Sequence, residues 1–224
     1  WAMMELNQYE KAILNFKNAL KLIDERKIPT ANNATNYSNL ASSYGAMEQL
    51  DSSLKYSRMA ISEAHKNGNL FVEANSLYIL GTALIKQGKY NDALKSFLAA
   101  KPLREKIGDP FYIVSDMAEM GSLYAKLNKP KEGIAISLEA LKIALDNKID
   151  AKLTMIYASL AENYDSAGKF KEAAEVYNKL SALKDSAYAD ANPKALAEMQ
   201  TKYETEKKDA RYSSRNFASQ DRIF

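Results

Sequence analysis

The segment Lys86–Lys101, KQGKYNDALKSFLAAK, contains a small residue, Ala93, three positions after one aromatic residue and four positions before another. Related arrangements are found near both ends of the chain and between them. When the small residues are aligned, their spacings are 41, 40, 40 and 40 residues, at Ala12, Ser53, Ala93, Gly133 and Ala173. Recurrence at a fixed interval predicts a protein built from structural units of about 40 residues.

Each unit contains two stripes of large apolar residues. These residues recur at offsets of three, four and seven, which is typical of one face of a helix and not of a strand. The predicted helices form four pairs, at residues 31–46 and 50–66, 70–87 and 90–107, 110–127 and 130–147, and 151–167 and 170–186. A single helix over 9–27 precedes the pairs, and another over 193–210 follows them.

Glycine, proline and alanine positions support this division. Gly88 and Gly168 lie just before predicted second helices, and Pro130 lies in a first turn, where its missing N–H costs no hydrogen bond. Pro102 falls inside a predicted helix, which it should kink. One column of the repeat holds only small residues, which would let paired helices approach closely, at Ala41, Gly81, Gly121 and Ala161.

The repeat columns resemble the tetratricopeptide repeat. Its pattern of a bulky residue, Leu-Gly or Leu-Ala, Tyr, Gly-x-aromatic, Ala and a further aromatic is matched by Tyr157, Leu160-Ala161, Tyr164, Gly168-x-Phe170, Ala173 and Tyr177. The resemblance covers about residues 1–186. Because the period is 40 rather than the family's usual 34, each helix should be about one turn longer. Units of this length resemble those of bacterial sensors and regulators.

The resemblance implies an all-α fold, a right-handed superhelical solenoid of antiparallel helix pairs. The predicted solenoid covers residues 1–192, with a partial first repeat and four full repeats. A capping or connecting helix over 193–210 and a weakly structured tail over 211–224 would follow. Since Met3 aligns with Tyr44, most of the first unit's leading helix would precede Trp1. We therefore expect the chain to be part of a longer protein or a processed form of one.

The segment Leu196–Ala210, LAEMQTKYETEKKDA, carries a second resemblance. It is similar to the helix that follows the repeats in membrane-bound sensor histidine kinases and related transcriptional regulators of Gram-negative bacteria. In those proteins the repeats are extracytoplasmic, and the helix leads through a coiled coil and a membrane span to the output module. After Ala210 the sequence departs from this pattern, because RYSSRNFASQDRIF has neither heptads nor a span.

The composition argues against several classes of function. The net charge is only +3, so binding of nucleic acid through the repeats is not expected. Cysteine is absent and His65 is the single histidine, which excludes thiol chemistry and argues against a zinc site. We interpret His65 as a solvated residue near a helix end. No phosphate-binding glycine string and no apolar run long enough to cross a bilayer occur. We predict no enzyme, cofactor or metal.

The remaining candidate site is geometric. In tetratricopeptide proteins the first helix of each pair lines a concave groove that binds ligands. The resemblance places thirteen residues in that groove: Thr35, Ser38, Asn39, Ser42, Asn75, Tyr78, Thr82, Lys86, Glu119, Ser122, Lys126, Glu162 and Asp165. The carboxylate clamp of chaperone adaptors is disfavoured, because the column that needs lysine holds Ser38, Tyr78 and Ala118. The small polar groove suits an extended peptide or another polar partner.

Two functional hypotheses remain open. The first is a ligand- or protein-binding sensor domain of a bacterial signal-transduction protein, located in the periplasm as the extracytoplasmic portion of a membrane protein. The second is a cytoplasmic adaptor, scaffold or peptide-binding regulator. The expected partner is a protein or peptide, with a small polar ligand as an alternative. A homodimer through the C-terminal helix is a further hypothesis. The sequence beyond this chain would separate the two main hypotheses.

Overall fold

The computed structural model describes residue 4, residues 7–28, residues 33–191 and residue 207. Within these residues the chain forms α-helices and one short 3-10 helix, Asp150–Lys152, with no strand. The helices are α1 (Tyr9–Glu25), α2 (Asn33–Ala46), α3 (Leu50–Lys66), α4 (Leu70–Lys86), α5 (Tyr90–Ile107), α6 (Pro110–Lys126), α7 (Pro130–Asp146), α8 (Leu153–Ser166) and α9 (Phe170–Ala191). The all-α prediction is confirmed.

The predicted helix boundaries agree with the structure to within a few residues. The first helix of the last pair begins at Leu153, because the 3-10 turn Asp150–Lys152 occupies its expected start. The last described helix continues to Ala191, beyond the predicted end at 186. No glycine or proline lies between Phe170 and Pro193 to end it earlier. The predicted helix over 193–210 and the tail over 211–224 lie outside the described residues, apart from residue 207.

Left-handed backbone positions separate the helices at nearly equal intervals. Residues with φ between 50° and 76° recur every 20 or 21 residues, at Asn7, Lys27, Glu48, Gly68, Gly88, Gly108, Asn128, Lys148 and Gly168. At Gly88 the turn is a Schellman motif, because the Lys89 N–H donates to the Leu84 carbonyl and the Gly88 N–H to the Ile85 carbonyl. Each 40-residue period of the sequence therefore contains two helix-and-turn segments of about 20 residues.

The column of small residues permits close packing between helices. Ala41 and Ala161 are fully buried. A Cβ atom added to Gly121 would overlap the hydroxyl oxygens of Ser137 and Ser159, and one added to Gly81 would lie 2.7 Å from the Phe97 ring. The Phe97 ring of the segment Lys86–Lys101 therefore packs against the small-residue column at Gly81, in the neighbouring helix.

Buried apolar side chains from several pairs form the central core. Its members come from α3, α4, α5 and α6. They are Leu54, Ala83, Leu84, Ala93, Leu94, Phe97, Met120 and Leu123. In α1, by contrast, Ile13, Phe16 and Leu20 are only half-buried.

The helices form two layers. The chain divides into two compact units after Tyr177, and the layers described here belong to the first unit. The first helices α2 and α4 lie close together, as do α6 and α8, whereas the second helices α3, α5 and α7 are more widely spaced. Closer spacing places the first-helix layer on the inside of the curve. We call its surface the groove face.

One junction differs from the others. The helices α4 and α6 lie farther apart than α2 and α4 or α6 and α8. The consecutive helices α5 and α6 are also less closely packed than α3 and α4 or α7 and α8. The groove face is therefore widest between α4 and α6. The residue Pro102 lies inside α5, as predicted, and the kink assigned to it stays a prediction.

Candidate functional site

The predicted groove residues differ in how much surface they offer. Five are exposed on their helices, at Thr35, Lys86, Lys126, Glu162 and Asp165. Seven are half-buried, at Asn39, Ser42, Asn75, Tyr78, Thr82, Glu119 and Ser122. Ser38 is only 4% exposed and has little surface for a ligand. Their assignment to a binding groove stays a prediction.

The structure brings some of these residues together and leaves others apart. The Tyr78 hydroxyl donates to Glu119 Oε1 at 3.3 Å, which links α4 to α6 across the wide junction. Lys86 Nζ lies 3.8 Å from Glu48 Oε1 and donates to the Gly45 carbonyl at 3.4 Å. Thr82 Oγ1 donates to the carbonyl of Ile79 in its own helix.

A buried ion pair at the same junction was missed by the sequence analysis. Arg104 Nε, from α5, donates to Asp116 Oδ2, from α6, at 3.1 Å. Arg104 is 2% exposed and Asp116 is 3% exposed, which is rare for charged residues. A signal was available, because Ala64 and Ala144 occupy the position of Arg104 in the neighbouring repeats.

Burial sets the protonation behaviour of this junction. Burial raises the pKa of Asp116 to about 6, although the Arg104 guanidinium acts in the opposite direction. Burial also raises the pKa of Glu119, against the hydrogen bond from Tyr78. The pKa of Tyr78 is raised by burial and by the nearby Glu119 carboxylate. The tyrosine therefore stays a neutral donor at physiological pH.

Aromatic rings and cations form one edge of the site. The Tyr112 ring contacts Phe71 and Phe111 edge to face, with centroids 5.3 and 5.6 Å apart. The Arg104 guanidinium lies 4.7 Å from the centroid of Tyr112, and Lys152 Nζ lies 4.4 Å from the centroid of Phe111. Phe71 and Phe111 are 44% and 41% exposed, so this edge offers apolar contact area beside positive charge.

A small cavity lies among these groups. Its volume is about 110 Å³, which is room for a few water molecules or one small side chain. Its lining residues come from α4, α5, α6 and the turn before α8: Asn75, Tyr78, Arg104, Phe111, Tyr112, Ser115, Asp116 and Lys152. Among them, Asn75 and Tyr78 were predicted groove residues. Arg104 and Asp116 also line a second cavity of about 180 Å³, between α5, α6 and α7.

Two polar atoms of the buried pair have no hydrogen-bond partner in the protein. These are Arg104 Nη1, a donor, and Asp116 Oδ1, an acceptor. Native proteins satisfy most buried polar atoms, so two unpartnered atoms on residues that line a cavity mark a place where water or another polar group can bind. The Arg104–Asp116 cavity, defined by the lining residues given above for the 110 Å³ cavity, is therefore the best candidate functional site.

Other polar groups have structural roles or remain on the surface. Ser137 and Ser159 hydrogen-bond to each other at 2.8 Å, and Asn163 donates to the Gly121 carbonyl at 2.9 Å. His65, near the end of α3, is exposed as predicted, but its Nδ1 lies 2.9 Å from Glu73 Oε1. Across the described part of the chain, no cluster of three potential metal-ligating side chains occurs. None of the described helices is long and apolar enough to cross a membrane.

Comparison with known proteins assigns the repeat. Residues 74–106, which span most of α4 and α5, match the model of the tetratricopeptide repeat. The segment Lys86–Lys101 lies inside this match. The resemblance inferred from the repeat columns is therefore confirmed. No curated protein matches the sequence significantly.

Solved structures share the fold at low sequence identity. BtubC (BKLC) from P. vanneervenii is 18% identical over 83% of this chain and 76% of its own, with a TM-score of 0.73. A Rap protein complexed with Competence and Sporulation Factor is 18% identical over 81% and 51%, with a TM-score of 0.66. A STAND protein with a tetratricopeptide repeat sensor, PH0952 from Pyrococcus horikoshii, is 24% identical over 78% and 28%, with a TM-score of 0.64. At these identities the likeness establishes a tetratricopeptide-type solenoid.

Proposed function

We propose that this tetratricopeptide-type solenoid is a non-catalytic module that binds an extended segment of a protein or peptide along its groove face. The observation that carries the proposal is the wide junction between α4 and α6. There the layer of first helices opens, and the buried Arg104 and Asp116 are among the residues that line a cavity. A groove with aromatic contact area and a few placed polar groups suits an extended peptide.

The chemistry of the junction supports recognition and not catalysis. Asp116 is paired with Arg104, and Glu119 accepts from Tyr78, so each carboxylate is already held in a contact within the protein. The exposed rings of Phe71 and Phe111 offer apolar contact, and Lys152 adds a positive charge at the edge. These are the components of a binding surface.

For the biological setting, we propose the sensor portion of a bacterial signal-transduction protein, extracytoplasmic within a larger membrane protein. Support comes from the resemblance of residues 196–210 to the connecting helix of such sensors and from the long repeat. The alternative is a cytoplasmic adaptor or peptide-binding regulator, which the fold shared with a Rap protein complexed with Competence and Sporulation Factor favours. A membrane span following the repeats in the complete protein would support the sensor, and its absence would support the regulator.

The binding proposal is tested with an array of blocked decapeptides of random sequence. The affinity of each peptide that binds is then measured for the double variant Tyr78→Ala/Thr82→Ala. This variant removes two groove-face side chains that lie one helical turn apart. Because the Tyr78 ring also packs edge to face on Phe97 at 5.6 Å, Tyr78→Phe/Thr82→Ala is the variant that spares the core. We expect at least a tenfold loss of affinity with both.

The matched control is Lys95→Ala, on the exposed side of the second helix α5, where Lys95 donates to Asp92 of its own helix. It should leave every affinity unchanged. If the groove variants bind all peptides as tightly as the wild type, or if Lys95→Ala weakens them equally, then the groove face does not bind peptides.

A further inference from the structure

The Arg104–Asp116 cavity has a chemistry more specific than that of a general peptide groove. We propose that it binds a neutral carboxamide group, which the side chain of an asparagine or glutamine in the bound segment would supply. The identity of that segment rests on the function proposed above, whereas the preference for a carboxamide rests on the cavity alone.

The first argument is hydrogen-bond complementarity. The single bond from Arg104 Nε to Asp116 Oδ2 leaves one buried donor, Nη1, and one buried acceptor, Oδ1, without partners. A carboxylate offers acceptors only, and an ammonium group offers donors only. A carboxamide carries an acceptor oxygen and a donor nitrogen on one carbon atom, so it offers both kinds of partner that the two atoms lack.

The second argument is charge. The groups around the cavity are two cations, Arg104 and Lys152, and two carboxylates, Asp116 and the nearby Glu119. Their formal charges cancel when all four are ionised. An ionic ligand of either sign is attracted by one pair of groups and repelled by the other, so it gains little Coulombic energy while it still pays the cost of leaving water. A neutral polar group avoids both penalties.

The third argument is size. The cavity holds about 110 Å³, well below the volume of a site for a drug-sized ligand, and it is walled by the rings of Tyr78, Phe111 and Tyr112. These walls suit the short aliphatic stem and the flat end group of one side chain. The rest of the segment would lie outside the cavity, along the first helices.

Acetamide is the direct probe of the cavity. The full chain is labelled with ¹⁵N and titrated at pH 7.5 with acetamide, acetate or methylammonium, while the Nε–H resonance of Arg104 is followed. We expect acetamide to shift this resonance with a dissociation constant at least tenfold lower than that of either ion. Equal responses to all three probes, or no response to acetamide, would overturn the carboxamide assignment; the latter is the result for a cavity that only water enters.

Two variants check where the probe binds. Arg104→Ala/Asp116→Ser installs the residues that the preceding repeat has at these positions, Ala64 and Ser76, and should abolish the perturbation of the Ser115 amide by acetamide. Asp116→Asn removes the repelling carboxylate and keeps the guanidinium, so it should reverse the preference to acetate by at least fivefold. Circular dichroism confirms that each variant is folded. Retention of the acetamide preference in both variants would place the site elsewhere and overturn the assignment.

An experiment with substituted peptides distinguishes this inference from the proposed function. In peptides whose binding depends on Tyr78 and Thr82, each Asn or Gln is replaced by its isosteric acid and by Leu or Met. At one position of the peptide, each of the two replacements should lower the binding affinity at least tenfold. Groove-dependent peptides that tolerate every replacement would overturn the carboxamide inference and leave the proposed function standing. Selective acetamide binding without any groove-dependent peptide would support the cavity chemistry and overturn the proposed function.

Discussion

At the scale of single residues, the unusual feature is a charged residue where the repeat has alanine. Ala64 and Ala144 are fully buried between helices, and Arg104 occupies the corresponding position with only 2% of its surface exposed. Its partner Asp116 corresponds to Ser76 and Ile156, which are both fully buried. A buried ion pair seldom adds stability over an apolar pair of similar volume. Its presence at one junction alone, among α3, α5 and α7, therefore favours a role in recognition.

The energetic asymmetry of this pair can be measured. Arg104→Ala should lower the free energy of unfolding by about 3–5 kcal/mol, because it leaves a buried carboxylate without a partner. Arg104→Ala/Asp116→Ser should recover a large part of that loss, since it restores the residues of the preceding repeat. Urea unfolding of both variants and of Asp116→Ser completes a double-mutant cycle. Additive losses would show that the two residues are not coupled.

The protonation of Asp116 predicts a pH dependence of stability. Its pKa rises from an ordinary value of 3.8 to about 6 in the folded protein, so the folded state binds its proton more tightly than the unfolded state does. This stabilising contribution is complete below pH 3.8 and is lost as the pH rises through 6. The change in pKa corresponds to about 3 kcal/mol.

Asp116→Asn removes this titration. The free energy of unfolding of the wild type relative to this variant should therefore increase between pH 7.5 and pH 4.5, as measured by urea unfolding at each pH. Glu119, whose pKa is also raised, contributes with the same sign and is present in both proteins, so it cancels in the comparison. A pH-independent difference would contradict the assignment.

At the scale of helices and turns, a substitution at a left-handed turn position should raise the stability of the protein. Lys148 adopts φ 56°, a conformation that costs a residue with a Cβ about 1–2 kcal/mol. Gly88 holds the same place in its own turn without that cost. Lys148→Gly should raise the free energy of unfolding by about 0.5–1 kcal/mol, after the greater freedom of glycine in the unfolded chain is subtracted.

The control is the same substitution within a helix. Lys142 is exposed in the interior of α7, where glycine costs about 1 kcal/mol. Lys142→Gly should therefore lower the melting temperature while Lys148→Gly raises it. Parallel changes in the two variants would show that the turn conformation does not determine the effect.

Close packing at Gly121 predicts a large cost for any side chain there. An added Cβ would overlap the oxygens of Ser137 and Ser159, which hydrogen-bond to each other. Gly121→Ala should cost about 1–3 kcal/mol, and Gly121→Leu more than that range. Thermal unfolding measures both. Combining Gly121→Ala with Ser137→Ala should recover part of the loss, whereas an unchanged melting temperature in Gly121→Leu would contradict the packing.

The helices could be predicted from the sequence because their signals are local. Apolar spacing, first-turn prolines such as Pro110 and Pro130, and glycines such as Gly88 each act within one helix or turn. The 3-10 turn at Asp150–Lys152 was missed, since no glycine or proline marks it. The turn conformations of Glu48 and Lys148 were also missed, because neither residue type favours positive φ.

At the scale of the whole molecule, the sequence repeat predicts that the helix pairs stack. It does not predict at which junction the helices lie farther apart. Asn75 and Tyr78 could be placed on the groove face from the resemblance, and both line the cavity. Arg104 belongs to a second helix, and its side chain lines the cavity at the junction where α4 and α6 lie apart. The distance between α4 and α6 depends on contacts among three helix pairs. It therefore cannot be predicted from any single position of the repeat.

The uneven junction between α5 and α6 also affects how cooperatively the repeat array unfolds. In a linear array each unit is held by its neighbours, so the array separates first where the coupling between adjacent units is weakest. Within the first compact unit, the loose contacts of α6 with α4 and α5 place that point near Gly108. Amide hydrogen exchange should therefore resolve two blocks, one on each side of Gly108, that open with different free energies. A segment bound across the junction would join the two blocks, and protection would then rise far beyond the residues that the segment touches.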